Sequence, residues 1–234
     1  MVKASMANDF FDFQQFRIHQ ARNAMKVTSE ACLFGAWYAA KAMKAERMLD
    51  IGAGTGLLML MLAQKHGCPI DGIEIDLDAA SECRENLKAS PWWDRLELYE
   101  GDVVRWEPGV RFDCIISNPP FYERSLLRAD RRMNDAMHST SLNLDGLAAT
   151  IGRLSSQQGQ CSILLPMDKS KVFEARLQSF GFETERRVLV CHRRSQRPMR
   201  QILCMSRGWQ GISQEEELFI DEPGQILSEY YLSR

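Results

Sequence analysis

Leu49–Gly56 reads LDIGAGTG. A short apolar run breaks into glycines at every second position, Gly52, Gly54 and Gly56. Glycine reaches positive φ without cost and lets a ligand approach the main chain closely. The apolar stretch that follows, LLMLMLAQKHG, has the length of a buried helix closing at Gly67. The motif is therefore a strand, a tight turn and a helix. A dinucleotide turn needs GxGxxG, and here Leu57 stands where the last glycine would be. No Gly-Lys-Ser/Thr follows, which excludes a Walker-type phosphate loop. Asp50, just ahead of the turn, suits a ligand with a cationic amino group better than a pyrophosphate.

Working outward, strands alternate with helices. TSEACLFGAWYAAKAM reads as a helix with Ser29 as N-cap and Glu30 in its first turn. PIDGIEID is a second strand and LDAASECRENLKAS an amphipathic helix closed before Pro91. LELYEGD and FDCIISNPP are strands three and four. After the polar segment FYERSLLRADRRMNDAMHSTSLNLD come a helix (GLAATIGRLSSQQG), strand five (QCSILLP) and another helix (SKVFEARLQSFGF). RRVLVCHR and RQILCMSR are two final strands joined by the link RSQRPM. This order predicts an α/β fold with a mostly parallel seven-stranded sheet and helices on both faces. The last two strands, with no helix between them, predict an antiparallel hairpin at one edge. No repeat or linker divides the chain, so residues 1–234 are expected to form one domain, with 1–45 as an N-terminal extension.

At 234 residues, 45% hydrophobic and 26% charged, the composition is that of a globular protein with a sizeable core. No apolar run approaches the roughly 20 residues of a membrane span, and the N-terminus lacks an apolar signal core. Seven cysteines, none in CxxC spacing, fit reduced thiols in the cytoplasm rather than zinc ligands or a disulfide framework. A formal net charge of −2 argues against a non-specific nucleic-acid coat. Charge is nevertheless segregated. Seven arginines and no acid lie between Arg186 and Arg207, and the tail carries Glu215, Glu216, Glu217, Asp221 and Glu222.

Strand four ends on Asn118, Pro119, Pro120 and Phe121. Two prolines cannot continue a central strand. An asparagine with carbonyl and amide at a strand tip is suited to a substrate. Placed at the switch point of the sheet, Asn118 Oδ1 and the Pro119 carbonyl can each accept one N–H of a planar amine. An amino nitrogen whose lone pair is delocalised must turn pyramidal to attack. Those two hydrogen bonds strengthen as positive charge develops on it. The prolines hold the carbonyl in place, and Phe121 offers a stacking face, worth about 1–3 kcal/mol for a base. The acceptable substrates are adenine N6, guanine N2 or the amide of a glutamine.

Glu74 ends strand two and Asp102 ends strand three, so three acids stand at three consecutive strand ends around the glycine turn. The pattern resembles the class I methyltransferases, with a Rossmann-like sheet and S-adenosylmethionine as cofactor. That resemblance implies that Asp50, Gly52, Ala53, Gly54, Gly56 and Asn118 border the amino-acid end of the cofactor. It implies that Glu74 accepts the ribose hydroxyls, that Asp102 accepts the adenine amino group, and that Ile75 and Val103 enclose the ring.

A narrower resemblance is carried by FDFQQFRIHQARNAMKVTSEACLFGAW, followed in order by MLDIGAGTGLLMLMLAQ, IEID and IISNPPFYE. This is similar to the bacterial tRNA1(Val) adenine-N6 methyltransferases, which act on adenine 37 beside the anticodon, over about residues 8 to 230. It implies a cytoplasmic, monomeric enzyme needing no metal, a tRNA anticodon loop as partner, and Lys26 and Val27 as cofactor contacts. An anticodon-loop adenine is already unpaired and so is cheap to extrude. Arg193, Arg194 and Arg197 in the link, and Arg128, Arg131 and Arg132 after NPPFYE, are the candidate phosphate contacts. The family usually reads Gly-Thr-Asp-Gly after its MKV, where this chain has Thr28, Ser29, Glu30 and Ala31. Related readings on the same cofactor are a glutamine or guanine-N2 methyltransferase. A reading of another class is a cofactor-binding scaffold without catalysis.

Overall fold

The structure is a computed structural model and describes residues 9–23, 25–41, 44–120 and 143–222, together with Leu227 and Tyr230. The apolar segments around the glycine turn form β3 (Met48–Ile51), α2 (Leu57–Ala63), β4 (Ile70–Glu74), α3 (Leu77–Lys88), β5 (Leu96–Glu100) and β6 (Phe112–Ser117). Before them lie a short ribbon, β1 (Phe10–Asp12) with β2 (Arg17–His19), and α1 (Ser29–Ala39). After them come α4 (Leu144–Leu154), β7 (Ser155–Pro166), α5 (Met167–Gln178), β8 (Phe182–Cys191), β9 (Arg200–Arg207) and β10 (Gln214–Phe219).

The main sheet has the order β10-β8-β9-β7-β6-β3-β4-β5. The pairs β7/β6, β6/β3, β3/β4 and β4/β5 are parallel. β9 alone runs against its neighbours β7 and β8. The chain passes from β3 outward through β4 to β5, then returns to lay β6 on the other side of β3. That reversal puts the switch point between β3 and β6, as expected.

Side chains of β3 and β6 alternate between two cores. Met48, Cys114 and Ile116 face one cluster with α1, α2 and α3, while Leu49, Ile51 and Ile115 face the other with α4 and α5. The sheet is thus covered on both faces, and its central strands are apolar on both sides, as buried parallel strands require. α2 is buried along its whole length. It sits close because β4 carries Gly72, where a Cβ would lie 2.4 Å from Met59 Sδ and 3.1 Å from Ala53 Cβ.

The structure differs from the sequence reading in several places. An eighth strand is present: QEEELF pairs in parallel with β8, so the β8/β9 hairpin is flanked by β10 and is not itself the edge. Hydrogen-bonding capacity left on β8 outweighs the low strand propensity of three glutamates. The segment Ser155–Gly159 belongs to β7 rather than to the preceding helix, because Ser155 pairs with Phe112 across a register shift. α5 begins at Met167 and β8 at Phe182, both ahead of the expected positions. Finally, the N-cap of α1 is Thr28, whose Oγ1 accepts from Ala31 N at 3.2 Å, and Ser29 is already helical.

Candidate active site

The strand registers build the site. Ser117 stands opposite Ile51, Ile51 opposite Ile73 and Ile73 opposite Tyr99. One residue further along these parallel strands come Asn118, Gly52, Glu74 and Glu100. NPP, the glycine turn and the acid of strand two therefore lie side by side at the C-terminal edge of the sheet. Ser117 Oγ donates to the Ile51 carbonyl at 2.6 Å, which locks β6 to β3 just below Asn118. Asn118 is half-buried, Pro119 buried and Pro120 exposed. The Asn118 side-chain amide makes no hydrogen bond to the described residues. Phe121, Arg128, Arg131 and Arg132 lie outside the described residues.

The turn is held from below. Gly52 N and Ala53 N donate to the Ile73 carbonyl at 2.9 and 3.1 Å, and Gly56 N to the Ala53 carbonyl at 2.8 Å. Gly52, Gly54 and Gly56 all have positive φ (74°, 54° and 81°). A Cβ on Gly52 would meet nothing within 4 Å, so the turn faces open space where a ligand would sit.

Glu74 is the keystone of the turn. Its Oε2 accepts from Gly54 N at 2.8 Å, and its Oε1 accepts from Ile75 N at 2.9 Å and Asp76 N at 3.0 Å. A carboxylate has about four acceptor sites, which leaves about one for a hydroxyl.

Asp50 is fully buried, and neither carboxylate oxygen has a hydrogen-bond partner. Burial, with a smaller contribution from the nearby Glu74 charge, pushes its carboxyl up to about 8. The Cys83 thiol beside this pair is raised by burial and by the same two acids. An unpartnered buried carboxylate under a glycine turn fits the ammonium group of an amino-acid ligand, which would favour its charged form.

The remaining predicted contacts divide. Ile75 is 46% exposed and available to a ring, whereas Val103 packs into the α4/α5 core at 6%. Its neighbour Val104 is exposed. Asp102 is exposed and its Oδ1 accepts from Val104 N at 2.9 Å. Lys26 Nζ donates to the Gln20 carbonyl, and Val27 N to Gln20 Oε1 at 2.8 Å, so both brace the N-terminal extension.

The arginine link is not the bare cationic stretch that its sequence suggests. Arg193 pairs with Asp221 at 3.6 Å, Arg194 with Glu222 at 2.9 Å, and Arg186 with Glu216 at 3.5 Å. β10 brings the acidic tail back onto these side chains. Arg197 is exposed and has no ion pair among the described residues.

Sequence reasoning missed Asn23, Glu82 and Asn86, all buried: Asn86 bonds the Thr55 carbonyl of the turn, Asn23 lies beside Gly54, and Glu82 holds Asn23. The signal was available for two of them: Glu82 and Asn86 interrupt, four residues apart, the apolar face of α3 made by Ala79, Ala80, Cys83 and Leu87.

A match to the methyltransferase small domain covers residues 36–142. Among solved structures, a methyltransferase from Pyrococcus furiosus superposes with a TM-score of 0.55 at 17% identity, covering 78% of this chain and 84% of that one. A glycopeptide N-methyltransferase complexed with S-adenosylmethionine gives a TM-score of 0.55 at 14% identity, covering 75% and 86%. These likenesses establish the class I methyltransferase fold. At the sequence level, the tRNA1(Val) (adenine(37)-N6)-methyltransferase of Dyadobacter fermentans is 37% identical over 92% of this chain and 90% of its own. Those of Citrobacter koseri and Bacteroides thetaiotaomicron are 35% and 34% identical, each over 97% of this chain and 94% and 99% of theirs. With identity at this level running from end to end, and with NPP and the glycine turn on adjacent strand tips, the chain belongs to the tRNA1(Val) (adenine(37)-N6)-methyltransferase family.

Proposed function

We propose that this chain transfers a methyl group from S-adenosylmethionine to N6 of adenine 37 in the anticodon loop of tRNA1(Val). The single observation that carries the reading is the register of β6 on β3, which sets the Asn118 amide beside the turn. When bound, the cofactor supplies an electrophilic methyl on a sulfonium. Everything else is done by this chain. Asp50 meets the ammonium group, Glu74 accepts a ribose hydroxyl, and Ile75 and Asp102 border the adenine ring and its amino group. Asn118 Oδ1 and the Pro119 carbonyl would accept the two N–H groups of the target base and orient its nitrogen toward the methyl that the bound cofactor would supply. Both bonds strengthen as that nitrogen gains positive charge, which lowers the barrier. No strong base is required, because the proton becomes acidic once the bond to carbon forms.

The chain acts as one domain, in which the described part of the N-terminal extension, residues 9–23, 25–41 and 44–45, caps the cofactor side. It works as a cytoplasmic monomer, and among the described residues no helix is long and apolar enough to cross a membrane. The partner is tRNA, reached through Arg197 and, after exchange of their acidic partners for phosphates, Arg193 and Arg194.

The test is to incubate the protein with labelled S-adenosylmethionine and total tRNA and digest to nucleosides. Label is expected in N6-methyladenosine. Label in N2-methylguanosine, or only in added protein, would replace this reading with another on the same cofactor. Asn118→Ala is expected to lower kcat by about 10²–10³ while binding of S-adenosylhomocysteine stays near wild type. Equal turnover would remove Asn118 from the chemistry.

A further inference from the structure

Glu82 and Asn86 lie one turn apart on α3, and each is 1% exposed. Both side chains bond the N-terminal extension, and Asn86 bonds the glycine turn as well. Glu82 Oε1 also lies 3.9 Å from Arg22 Nε, a side chain of the N-terminal extension. Asn86 Oδ1 accepts from His19 N, and Asn86 Nδ2 donates to the His19 carbonyl, each at 2.9 Å. The side-chain amide thus pairs with one residue of β2 as a neighbouring strand would. The same Nδ2 donates to the Thr55 carbonyl, inside the glycine turn, at 2.9 Å. One turn earlier, Glu82 Oε1 accepts from Arg22 N at 3.0 Å and Oε2 from Asn23 Nδ2 at 3.4 Å. Asn23 is buried, with its Oδ1 3.8 Å from where a Cβ on Gly54 would stand.

We propose that Asn86 and Glu82 are positioning residues that fasten the extension to the glycine turn, so that the cap carrying Asn23 and the cofactor-binding turn move as one unit. The proposal rests on the reading of the turn as the S-adenosylmethionine site. Its physical basis is that Asn86 contacts the extension and the turn at once through a single rigid amide. Loosening the extension therefore releases a restraint on the Thr55 carbonyl, and a displaced turn lets the extension go. Coupling of this kind is reciprocal: what the extension adds to cofactor affinity, bound cofactor adds to the seating of the extension.

The test measures S-adenosylhomocysteine binding by calorimetry, steady-state kinetics and tryptic cleavage at Arg17, Arg22 and Lys26. For Asn86→Ala and for Asn23→Ala, which removes the side-chain partner of Glu82 Oε2 within the cap and leaves Asn86 in place, Kd for S-adenosylhomocysteine and KM for S-adenosylmethionine are expected to rise at least tenfold. The kcat at saturating cofactor should stay within about twofold of wild type. Ligand should slow cleavage of the extension in wild type and fail to do so in Asn86→Ala. A purely structural role would lower the melting temperature without this KM-against-kcat split. An unchanged Kd in either folded variant, or ligand protection kept in Asn86→Ala, would overturn the proposal. If Asn86→Ala does not fold, Asn23→Ala decides alone. Wild-type protein that binds no S-adenosylhomocysteine would instead refute the cofactor reading beneath it.

Discussion

Asp50 shows how a buried, unpartnered acid weighs against the fold that carries it. It is buried, unpartnered and shifted to about 8, against about 3.9 for a free aspartate. Between those two values the folded protein holds a proton that the unfolded chain has lost. Stability from this group is therefore fully present below about pH 4 and declines as pH rises toward 8. Asn cannot ionise, so Asp50→Asn is expected to raise the melting temperature at pH 7, with the gain vanishing near pH 4. The same variant should bind S-adenosylhomocysteine at least tenfold more weakly, because the ammonium loses its counter-charge. Thermal melts across pH 4–8 check the first effect and calorimetry the second. A gain independent of pH would show that Asp50 is ionised in the empty fold. Asp50 and Asn118 both stand out in the sequence, Asp50 as a charge inside the apolar strand β3 and Asn118 as the residue just after β6. That Asp50 has no partner is not legible, because it depends on what β4 and α2 leave uncovered.

At the level of elements, the cap of α1 and the glycine of β4 make opposite demands on sequence reading. Thr28 and Ser29 both have the chemistry of a cap, and only backbone geometry separates them. Thr28 is extended, at φ −115° and ψ 155°, and bonds Ala31 N. Thr28→Ala is expected to cost about 1 kcal/mol in urea unfolding, and Ser29→Ala less than about 0.5. The reverse ranking would move the helix start by one residue. Gly72 gives no local signal, because it lies inside a strand with no turn. Its necessity comes from Met59 and Ala53, which occupy the space of its missing side chain. Gly72→Ala is expected to destabilise by about 1–3 kcal/mol through overpacking and to weaken cofactor binding by lifting Ala53 and the turn. Melting and calorimetry on one preparation would separate the two effects.

Across the whole molecule, the acidic tail decides how the arginine link presents itself. β10 pairs with β8, and its Glu216 bonds Trp37 Nε1 of α1 and faces Arg186. Asp221 and Glu222, just past β10, occupy Arg193 and Arg194. These exposed pairs contribute little to stability, roughly 0–1 kcal/mol each, and can be exchanged for phosphate. Changing Asp221 to Asn together with Glu222 to Gln is expected to tighten tRNA binding at low salt and leave the melting temperature nearly unchanged. If Arg197 meets phosphate as proposed, Arg197→Ala should weaken binding and lower the salt slope of log K by about one, because no acid among the described residues has to leave it first. Filter binding over a salt series measures both, and a slope unchanged by Arg197→Ala would remove that residue from the interface.

Strand and helix order, the switch point beside the turn, and the two motifs that face it were determined by the sequence alone. Each is written in short-range patterns: apolar runs, glycine spacing and paired prolines. Tertiary structure alone decided the eighth strand, the pairing of Arg186, Arg193 and Arg194 with the acidic tail, and the seating of the extension on Asn86. These depend on groups 20 to 70 residues apart meeting in space. A backbone donor on β8 or an arginine in the link takes whatever partner the fold brings, and no local pattern records which one that is.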